Sequence, residues 1–187
     1  FTLGKNDKRH RVFSRQARDA GVPLIYVNNV GIQNNGKTVY TFDGCSTVYG
    51  RNGDTLLHCP PFEEQLAYLF FEELQLAQAT SAVRVPDDRG IDSIYSCLRY
   101  GIESFLEQTG LAKMVIGVSG GIDSAVAAAL YAHILKPANV LLVNMPSQYN
   151  SPTTISLAHQ LAENLGCRYV EIPIGESVDL TVRQIAA

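Results

Sequence analysis

Hydrophobic and polar positions follow short-period patterns in the first third of the chain. Apolar residues at helical spacing predict a helix over 9–20, which Gly21 ends. Short apolar runs separated by Asn/Gly turns predict strands over 22–30, 37–43, 45–50 and 55–59. The first of these strands is nearly all apolar, so we expect it to be buried on both faces. The whole predicts an antiparallel meander that follows a helix.

Beyond residue 90 the pattern changes to a regular alternation of strands and helices. An apolar stripe predicts a helix over 91–110, closed by a glycine. Strands are then predicted over 113–118, 139–145 and 167–174, with helices over 123–135 and 153–166. Such alternation implies right-handed crossovers and a parallel sheet covered by helices.

Two segments lie between these regions. Residues 63–79 have a helical composition, although a strand within them is an alternative. Residues 79–90 are small and polar and include Pro86 and Gly90, which is typical of a linker. We therefore expect one domain over 1–80, a linker over 81–90 and a second domain over 91–187.

The bulk composition excludes several classes of protein. Hydrophobic residues make up 46% and charged residues 18% of the 187 residues, as expected of a chain that forms a core. A net charge of −3 offers no electrostatic reason to bind nucleic acid or an anionic membrane. No apolar run is long enough to span a bilayer, and no signal-peptide pattern is present. The four cysteines lack metal-ligand spacing, so we expect free thiols in a cytoplasmic protein.

The chain also begins and ends abruptly. It opens on Phe1 in a polar run and stops within what the pattern predicts to be a helix. We therefore expect it to be a piece of a longer protein.

The stretch SGGIDS, Ser119–Ser124, lies between the first predicted strand of the alternating region and its helix. Ligands of such sheets bind beyond the carboxyl ends of the strands, and a helix N-terminus favours an anion. Gly120 and Gly121 allow the backbone to approach a phosphate, and both serine hydroxyls can donate to it. A carboxylate at Asp123 would repel phosphates unless a divalent cation lies between them.

Three other interpretations of this stretch are available. An ordinary turn with Asp or Ser as the N-cap is the structural alternative. A dinucleotide loop requires GxGxxG, but position 119 is Ser. A Walker loop requires Lys before the Ser/Thr, and Asp123 occupies that place.

The stretch resembles the SGGxDS loop of the PP-loop ATP pyrophosphatases, matching it at Ser119, Gly120, Gly121, Asp123 and Ser124. The resemblance implies that ATP is cleaved between its α- and β-phosphates and that AMP passes to a substrate oxygen. It also implies that Asp123 holds Mg²⁺. The implied ATP cradle consists of Gly117, Val118, Ser119, Gly120, Gly121, Ile122, Asp123 and Ser124.

Two further segments narrow the resemblance. Residues 144–151 are similar to the MPSxYSS segment of NAD synthetases, with Gln148 where Arg is usual and Asn150 where Ser is usual. Residues 1–60 resemble the back half of a nitrilase-type amidase domain, in the pieces FTLGKNDKRH, VPLIYVNNVGIQNN and TFDGCSTVYG. GIQNN at 31–35 replaces the usual GGQD.

A nitrilase domain ahead of a PP-loop domain resembles the glutamine-dependent NAD synthetases. The implied fold class is α/β: the C-terminal part of a nitrilase-like αββα sandwich, then the start of a doubly wound, Rossmann-like parallel sheet. The implied reaction is ATP-dependent amidation of deamido-NAD, through an adenylated carboxylate, with ammonia from glutamine. The small-molecule partners are therefore deamido-NAD, ATP and glutamine, and we expect a homo-oligomer.

The same resemblance assigns roles in the N-terminal part. The nitrilase Glu, Lys and Cys would precede Phe1, so we expect no catalytic residue of that kind in this chain and no activity from it alone. The Lys of the family's SPFxxGK pattern corresponds to Lys5, which would help to hold glutamine. Cys45 lies at a position that varies in the family, and no Glu or Lys is placed by motif to activate it.

Three alternatives remain open at this point. The chain could belong to another PP-loop enzyme, such as a GMP synthetase, an asparagine synthetase or a tRNA-thiolating enzyme. It could be a stand-alone nitrilase-type amidase that uses Cys45. It could also be a non-catalytic, oligomerising module.

Overall fold

The computed structural model of the chain describes residues 1–70, 72, 74, 83, 85–87 and 89–186. The contacts between residues divide the chain into two compact units, Phe1–Gln108 and Thr109–Ala187. Among the described residues, no helix is both long and apolar enough to cross a membrane.

The first unit contains a long helix followed by short antiparallel strands. Its elements are α1 (Lys5–Ala20), β1 (Leu24–Tyr26), β2 (Val30–Asn34), β3 (Val39–Asp43), β4 (Thr47–Tyr49), β5 (Thr55–His58) and α2 (Ile91–Thr109). One sheet has the order β1-β4-β5, and the other is the hairpin β2-β3. The predicted helix over 9–20 is thus present and begins four residues earlier, at Lys5.

The predicted continuous meander is wrong. β3 pairs only with β2, while β4 pairs with β1 and β5. Gly44 and Cys45 have φ angles of 68° and 54°, and this left-handed turn directs the chain from one sheet into the other. The predicted buried strand over 22–30 is also wrong, because β1 has three residues and Ile25 is 59% exposed.

The helix predicted over 63–79 is absent from the part that the structure describes continuously. Residues 63–70 form neither helix nor strand. Leu66, Tyr68 and Phe70 are all exposed, so this segment has no buried apolar face to stabilise a helix. Glu72 and Leu74 are helical, as predicted, and the other residues of the predicted helix after residue 70 lie outside the described residues.

The predicted domain boundary differs from the division between the compact units. The linker was predicted at 81–90, part of which lies outside the described residues, whereas the units divide after residue 108. Helix α2 falls in the first unit because it packs there: the ring of Tyr100 stacks on Phe62, with 5.2 Å between centroids. The boundary at 81–90 stays a prediction.

The second unit has the alternation that the sequence predicts. Its elements are β6 (Met114–Gly117), α3 (Ile122–Leu135), a short 3₁₀ turn (Pro137–Asn139), β7 (Val140–Asn144), α4 (Pro152–Leu165), β8 (Arg168–Glu171) and α5 (Gly175–Ile185). The strands form a parallel sheet in the order β6-β7-β8. The core that joins this sheet to α3 and α4 consists of Val118, Ala128, Val140, Leu142, Ala158 and Ala162.

Candidate functional site

The SGGIDS stretch forms the connection from β6 to α3, at the carboxyl edge of the parallel sheet. β6 ends at Gly117, and the N–H of Val118 still donates to the carbonyl of Val143 on β7, at 2.8 Å. The side chain of Val118 lies in the core, whereas Ser119 is exposed. The loop therefore leaves the sheet at Ser119, where a ligand of a parallel α/β sheet is expected.

No side chain caps the start of α3. Its N-cap is Gly121, which has extended backbone angles (φ −92°, ψ 163°) and no side chain that could accept a hydrogen bond. The first N–H groups of a helix have no partner within the helix. This end of α3 therefore presents backbone donors and the positive end of the helix dipole.

The two serine hydroxyls of the loop lie beside these donors. Ser119 Oγ and Ser124 Oγ are 3.3 Å apart, and the N–H of Gly121 donates to Ser119 Oγ at 3.3 Å. Both distances exceed the usual length of bonds of these kinds. Ser124 Oγ also donates to the carbonyl of Gly121 at 3.0 Å. The long bonds can be exchanged for bonds to a phosphate at small cost.

Gly120 lies against the first turn of α4. Its φ is +81°, and a Cβ at this position would lie 2.1 Å from the carbonyl oxygen of Thr154. No side chain fits there without displacing the loop or the helix. The contact explains in physical terms why this loop requires glycine at position 120.

Asp123 occupies the first turn of α3 and is exposed. Among the described residues, no group of three or more His, Cys, Asp or Glu side chains could hold a metal ion. Mg²⁺ bound to nucleotides is commonly held by one or two carboxylates together with phosphate oxygens and waters. A single exposed carboxylate at an uncapped helix start fits that donor set.

The segment between β7 and α4 forms a closed turn. The main-chain N–H and the hydroxyl of Ser147 both donate to Asn150 Oδ1, at 2.9 and 3.1 Å. The N–H of Asn150 donates to the carbonyl of Ser147 at 3.1 Å. Asn150, where the resembling segment has Ser, thus closes the turn with its longer side chain. Gln148 and Tyr149 are exposed.

The start of α4 is capped, unlike that of α3. Ser151 is its N-cap, and its hydroxyl accepts a hydrogen bond from the N–H of Thr154 at 3.2 Å. Pro152 is the first helical residue and has no N–H to satisfy. The start of α4 therefore has few N–H groups left that could donate to a ligand.

Asn144 is a buried polar residue that the sequence analysis did not single out. It is the last residue of β7 and is 2% exposed, and its Nδ2 has no hydrogen-bond partner within the described part of the chain. A signal was available in the sequence, because a polar side chain ends the apolar run Val140–Val143. Buried side-chain donors normally have partners, so this one requires an explanation.

Lys5 lies in the first unit, at the start of α1. It is exposed, and it lines an open cavity of about 470 Å³ with Leu3, Lys8 and Phe13 among others. The partly buried ion pair between Arg9 and Asp43, with 3.0 Å between Arg9 Nη1 and Asp43 Oδ2, attaches the same helix to β3. Lys5 is therefore presented to solvent from a helix that is anchored one turn later.

The cysteine thiols are protected. Cys45 is 4% exposed, and its sulfur accepts a hydrogen bond from Asn6 Nδ2 at 3.1 Å. Burial raises the pKa of the thiols of Cys59, Cys97 and Cys167. Because the thiolate is the nucleophile, a raised pKa makes these three groups less reactive.

Comparison with known proteins places the second half of the chain in a family. The family model described as NAD synthase matches residues 94–186. Residues 94–186 belong to the NAD synthase family. The match begins within α2, although the contacts of that helix place it in the first unit.

Individual relatives extend the similarity over almost the whole chain. A glutamine-dependent NAD(+) synthetase of Synechocystis is 36% identical over 179 residues, which are 94% of this chain and 31% of that protein. One of Rhodobacter capsulatus is 34% identical over 177 residues, covering 93% of this chain and 31% of that protein. The chain thus spans about a third of the length of these curated relatives.

A solved structure shares the fold. The glutamine-dependent NAD+ synthetase of Acinetobacter baumannii, determined in complex with ADP, superposes with a TM-score of 0.76 at 26% identity. The alignment covers 99% of this chain and 34% of that one. The α/β fold is confirmed, because the likeness extends over both compact units.

Proposed function

We propose that this chain carries the ATP pyrophosphatase loop of a glutamine-dependent NAD synthetase. The observation that carries the proposal is the uncapped start of α3, where two glycines and two serine hydroxyls surround free backbone donors. The family of residues 94–186 and the ADP complex of the Acinetobacter baumannii relative support it. The cradle would consist of residues 117–124.

In the proposed reaction, a carboxylate oxygen of deamido-NAD attacks the α-phosphorus of ATP. The bond between the α-phosphorus and the bridging oxygen breaks, and pyrophosphate leaves. Ammonia then attacks the acyl carbon and AMP departs, so that carboxylate, ammonia and ATP become amide, AMP and pyrophosphate. Adenylation is needed because a free carboxylate would have to expel oxide.

The residues of the loop act on the leaving pyrophosphate. The first N–H groups of α3 and the hydroxyls of Ser119 and Ser124 donate to its oxygens, where negative charge accumulates as the bond breaks. Asp123 would hold Mg²⁺, which would supply further neutralisation of that charge. Gly120 and Gly121 let the backbone reach the phosphates without a Cβ in the way.

We propose that the first unit contributes to glutamine binding. Lys5 would hold the glutamine carboxylate, supported by its exposed position on an anchored helix and beside a cavity. None of the four cysteines would act as the glutaminase nucleophile, supported by the burial of Cys45 and the raised pKa of the other three thiols. A nitrilase-like domain over 1–80, a linker over 81–90 and a homo-oligomer are further parts of this proposal.

The decisive test follows AMP and pyrophosphate release by the complete protein with ATP and Mg²⁺. Deamido-NAD together with glutamine should stimulate release, and NAD should appear in equal amount. Stimulation by xanthosine monophosphate or aspartate instead would contradict the substrate assignment.

A second test separates the two nitrogen sources. Lys5→Gln should raise KM for glutamine at least tenfold and leave synthesis from ammonium salts unchanged. Lys8→Gln, which changes a lysine lining the same cavity, is the control and should alter neither. An equal loss with both nitrogen sources would contradict the role of Lys5.

A further inference from the structure

The amide of Asn144, which has no partner within the described part of the chain, lies at the end of β7, beside the strand that leads into the SGGIDS loop. Side chains alternate between the two faces of a strand, so Asn144 shares a face with Val140 and Leu142. Those two pack in the core with Ala128 of α3 and Ala158 of α4. Asn144 therefore lies on the helix-covered face, at the end of β7 where both helices begin.

The neighbouring contacts place the loop above this position. The register pairs Gly117 with Val143, and the bond from Val118 N–H to the carbonyl of Val143 continues it, so Val118 lies opposite Asn144 and the first loop residue, Ser119, follows directly. The contact between Gly120 and Thr154 closes the loop against α4. Asn144 Nδ2 is fully enclosed there, without a partner among the described residues.

Two sets of donors without a partner among the described residues thus lie at the same edge of the sheet. One is the uncapped start of α3, and the other is the buried amide of Asn144. The start of α4 beside them is satisfied by Ser151. An unpaired buried donor is costly to the unliganded fold, and polar groups of this kind concentrate where a ligand completes the network.

A single loop peptide could link the phosphate and the Asn144 amide, because its N–H and its carbonyl point in opposite directions. The N–H and C=O of a trans peptide point in opposite directions, so a peptide that turns its N–H toward a phosphate turns its carbonyl away from it. For a loop peptide at this edge of the sheet, that direction leads into the protein. Gly120 and Gly121 have the conformational freedom that such a rotation requires.

We propose that Asn144 is a positioning residue of the phosphate loop, whose Nδ2 donates to a loop carbonyl between Ser119 and Gly121 once a phosphate has bound. This inference rests on the proposed function, since it requires the loop to bind the phosphates of ATP. Asn144 acts on the nucleotide through the loop, because its own amide is enclosed. The unliganded fold keeps the donor unpaired, and the liganded loop satisfies it.

The experiment measures stability and affinity in the same variants of the complete protein. Asn144→Leu removes the donor and keeps the number and branching of the side-chain heavy atoms. Its melting temperature without nucleotide should stay equal or rise, while its affinities for ATP and for pyrophosphate, measured by calorimetry with Mg²⁺, should fall about tenfold. A purely structural asparagine would lower the melting temperature and leave both affinities unchanged.

Asn139→Leu is the matched control. Asn139 precedes the opposite end of β7, and its Nδ2 donates to the carbonyl of Leu135 at 2.9 Å. This variant should lose stability, because it leaves that carbonyl without its donor, and should keep its affinity for ATP. The two asparagines should therefore show opposite effects.

Asn144→Thr and Asn144→Val test the donor if the leucine variant does not fold. The two side chains have nearly the same shape and differ in one hydroxyl, so the threonine variant should bind ATP more tightly than the valine variant. Equal affinities, or a leucine variant that binds like the wild type, would overturn the inference and leave the proposed function standing. A wild-type protein that binds neither ATP nor pyrophosphate would overturn both.

Discussion

The starts of α3 and α4 lie side by side at one edge of the second unit, yet they are built differently. α4 begins with Ser151, whose hydroxyl accepts from Thr154, and with Pro152, which has no N–H. α3 begins with Gly121, which caps nothing. A capped start stabilises the fold, whereas an uncapped one keeps its donors for an anion.

The contact between these two helix starts gives the largest expected effect. Gly120→Ala places a Cβ 2.1 Å from the Thr154 carbonyl at a φ of +81°. The loop must move, so ATP affinity should fall more than 100-fold and the free energy of unfolding by about 2–3 kcal/mol. Calorimetry and denaturant titration measure the two quantities.

Gly175→Ala is the control for that substitution. Gly175 also lies at a helix start, but a Cβ there meets nothing within 4 Å and its φ is not in the left-handed region. It should bind ATP like the wild type. If Gly120→Ala did so too, the loop would not be closed against α4 as described.

The carboxylate in the first turn of α3 gives the next effect. Asp123→Asn should abolish ATP-dependent NAD formation, a loss of about 100-fold or more, and leave glutamine hydrolysis intact. With EDTA present, the variant should bind pyrophosphate at least as tightly as the wild type, because a repulsive charge has been removed. Isothermal titration with and without Mg²⁺ separates these effects.

Asp92→Asn provides the comparison for Asp123. Asp92 also lies in the first turn of a helix, in the first unit, and the loss of its interaction with the helix dipole should cost only a few tenths of a kcal/mol. NAD formation should be unaffected. Tighter wild-type binding of pyrophosphate in EDTA than in the Asp123→Asn variant would contradict the metal role.

The capped helix start should respond in the opposite way. Ser151→Ala removes the acceptor of the Thr154 N–H, so the free energy of unfolding should fall by about 1 kcal/mol. ATP affinity should change less than twofold, since α4 holds no phosphate. Thermal unfolding and ATP titration of one preparation measure the two quantities. A large loss of ATP affinity at unchanged stability would contradict the assignment of a purely structural role to the start of α4.

The turn before α4 should give the smallest effect. Asn150→Ser restores the residue of the resembling segment but shortens the side chain that accepts from Ser147. We expect a loss of about 0.5–1 kcal/mol in the free energy of unfolding and no change in kcat. Denaturant titration and steady-state rates check this. An altered kcat would mean that the turn takes part in the reaction.

Local patterns in the sequence were sufficient for the second unit. Strand–helix alternation and the position of SGGIDS depend on residues close together in the chain, and the parallel sheet and the uncapped helix start follow from them. The roles predicted for Lys5 and Asp123 stay predictions, because only their placement is visible. The linker and the nitrilase-like domain are likewise untested.

Contacts between distant residues decided the rest. No local pattern could show that β3 and β4 enter different sheets. The effect of the left-handed turn at Gly44 and Cys45 depends on which strands pair with β3 and with β4, and these partners lie elsewhere in the chain. Likewise, residues 63–70 have a helical composition but bury no apolar face.

The sequence by itself therefore determined the order of elements in the second unit and the position of the SGGIDS stretch between a strand and a helix, since these follow from local spacing. Only the tertiary structure showed that Gly120 lies against Thr154 and that the buried Nδ2 of Asn144 has no partner within the described part of the chain. The physical reason is that both features arise between elements brought together by folding. Burial and close approach are properties of the packed molecule and not of any segment of its chain.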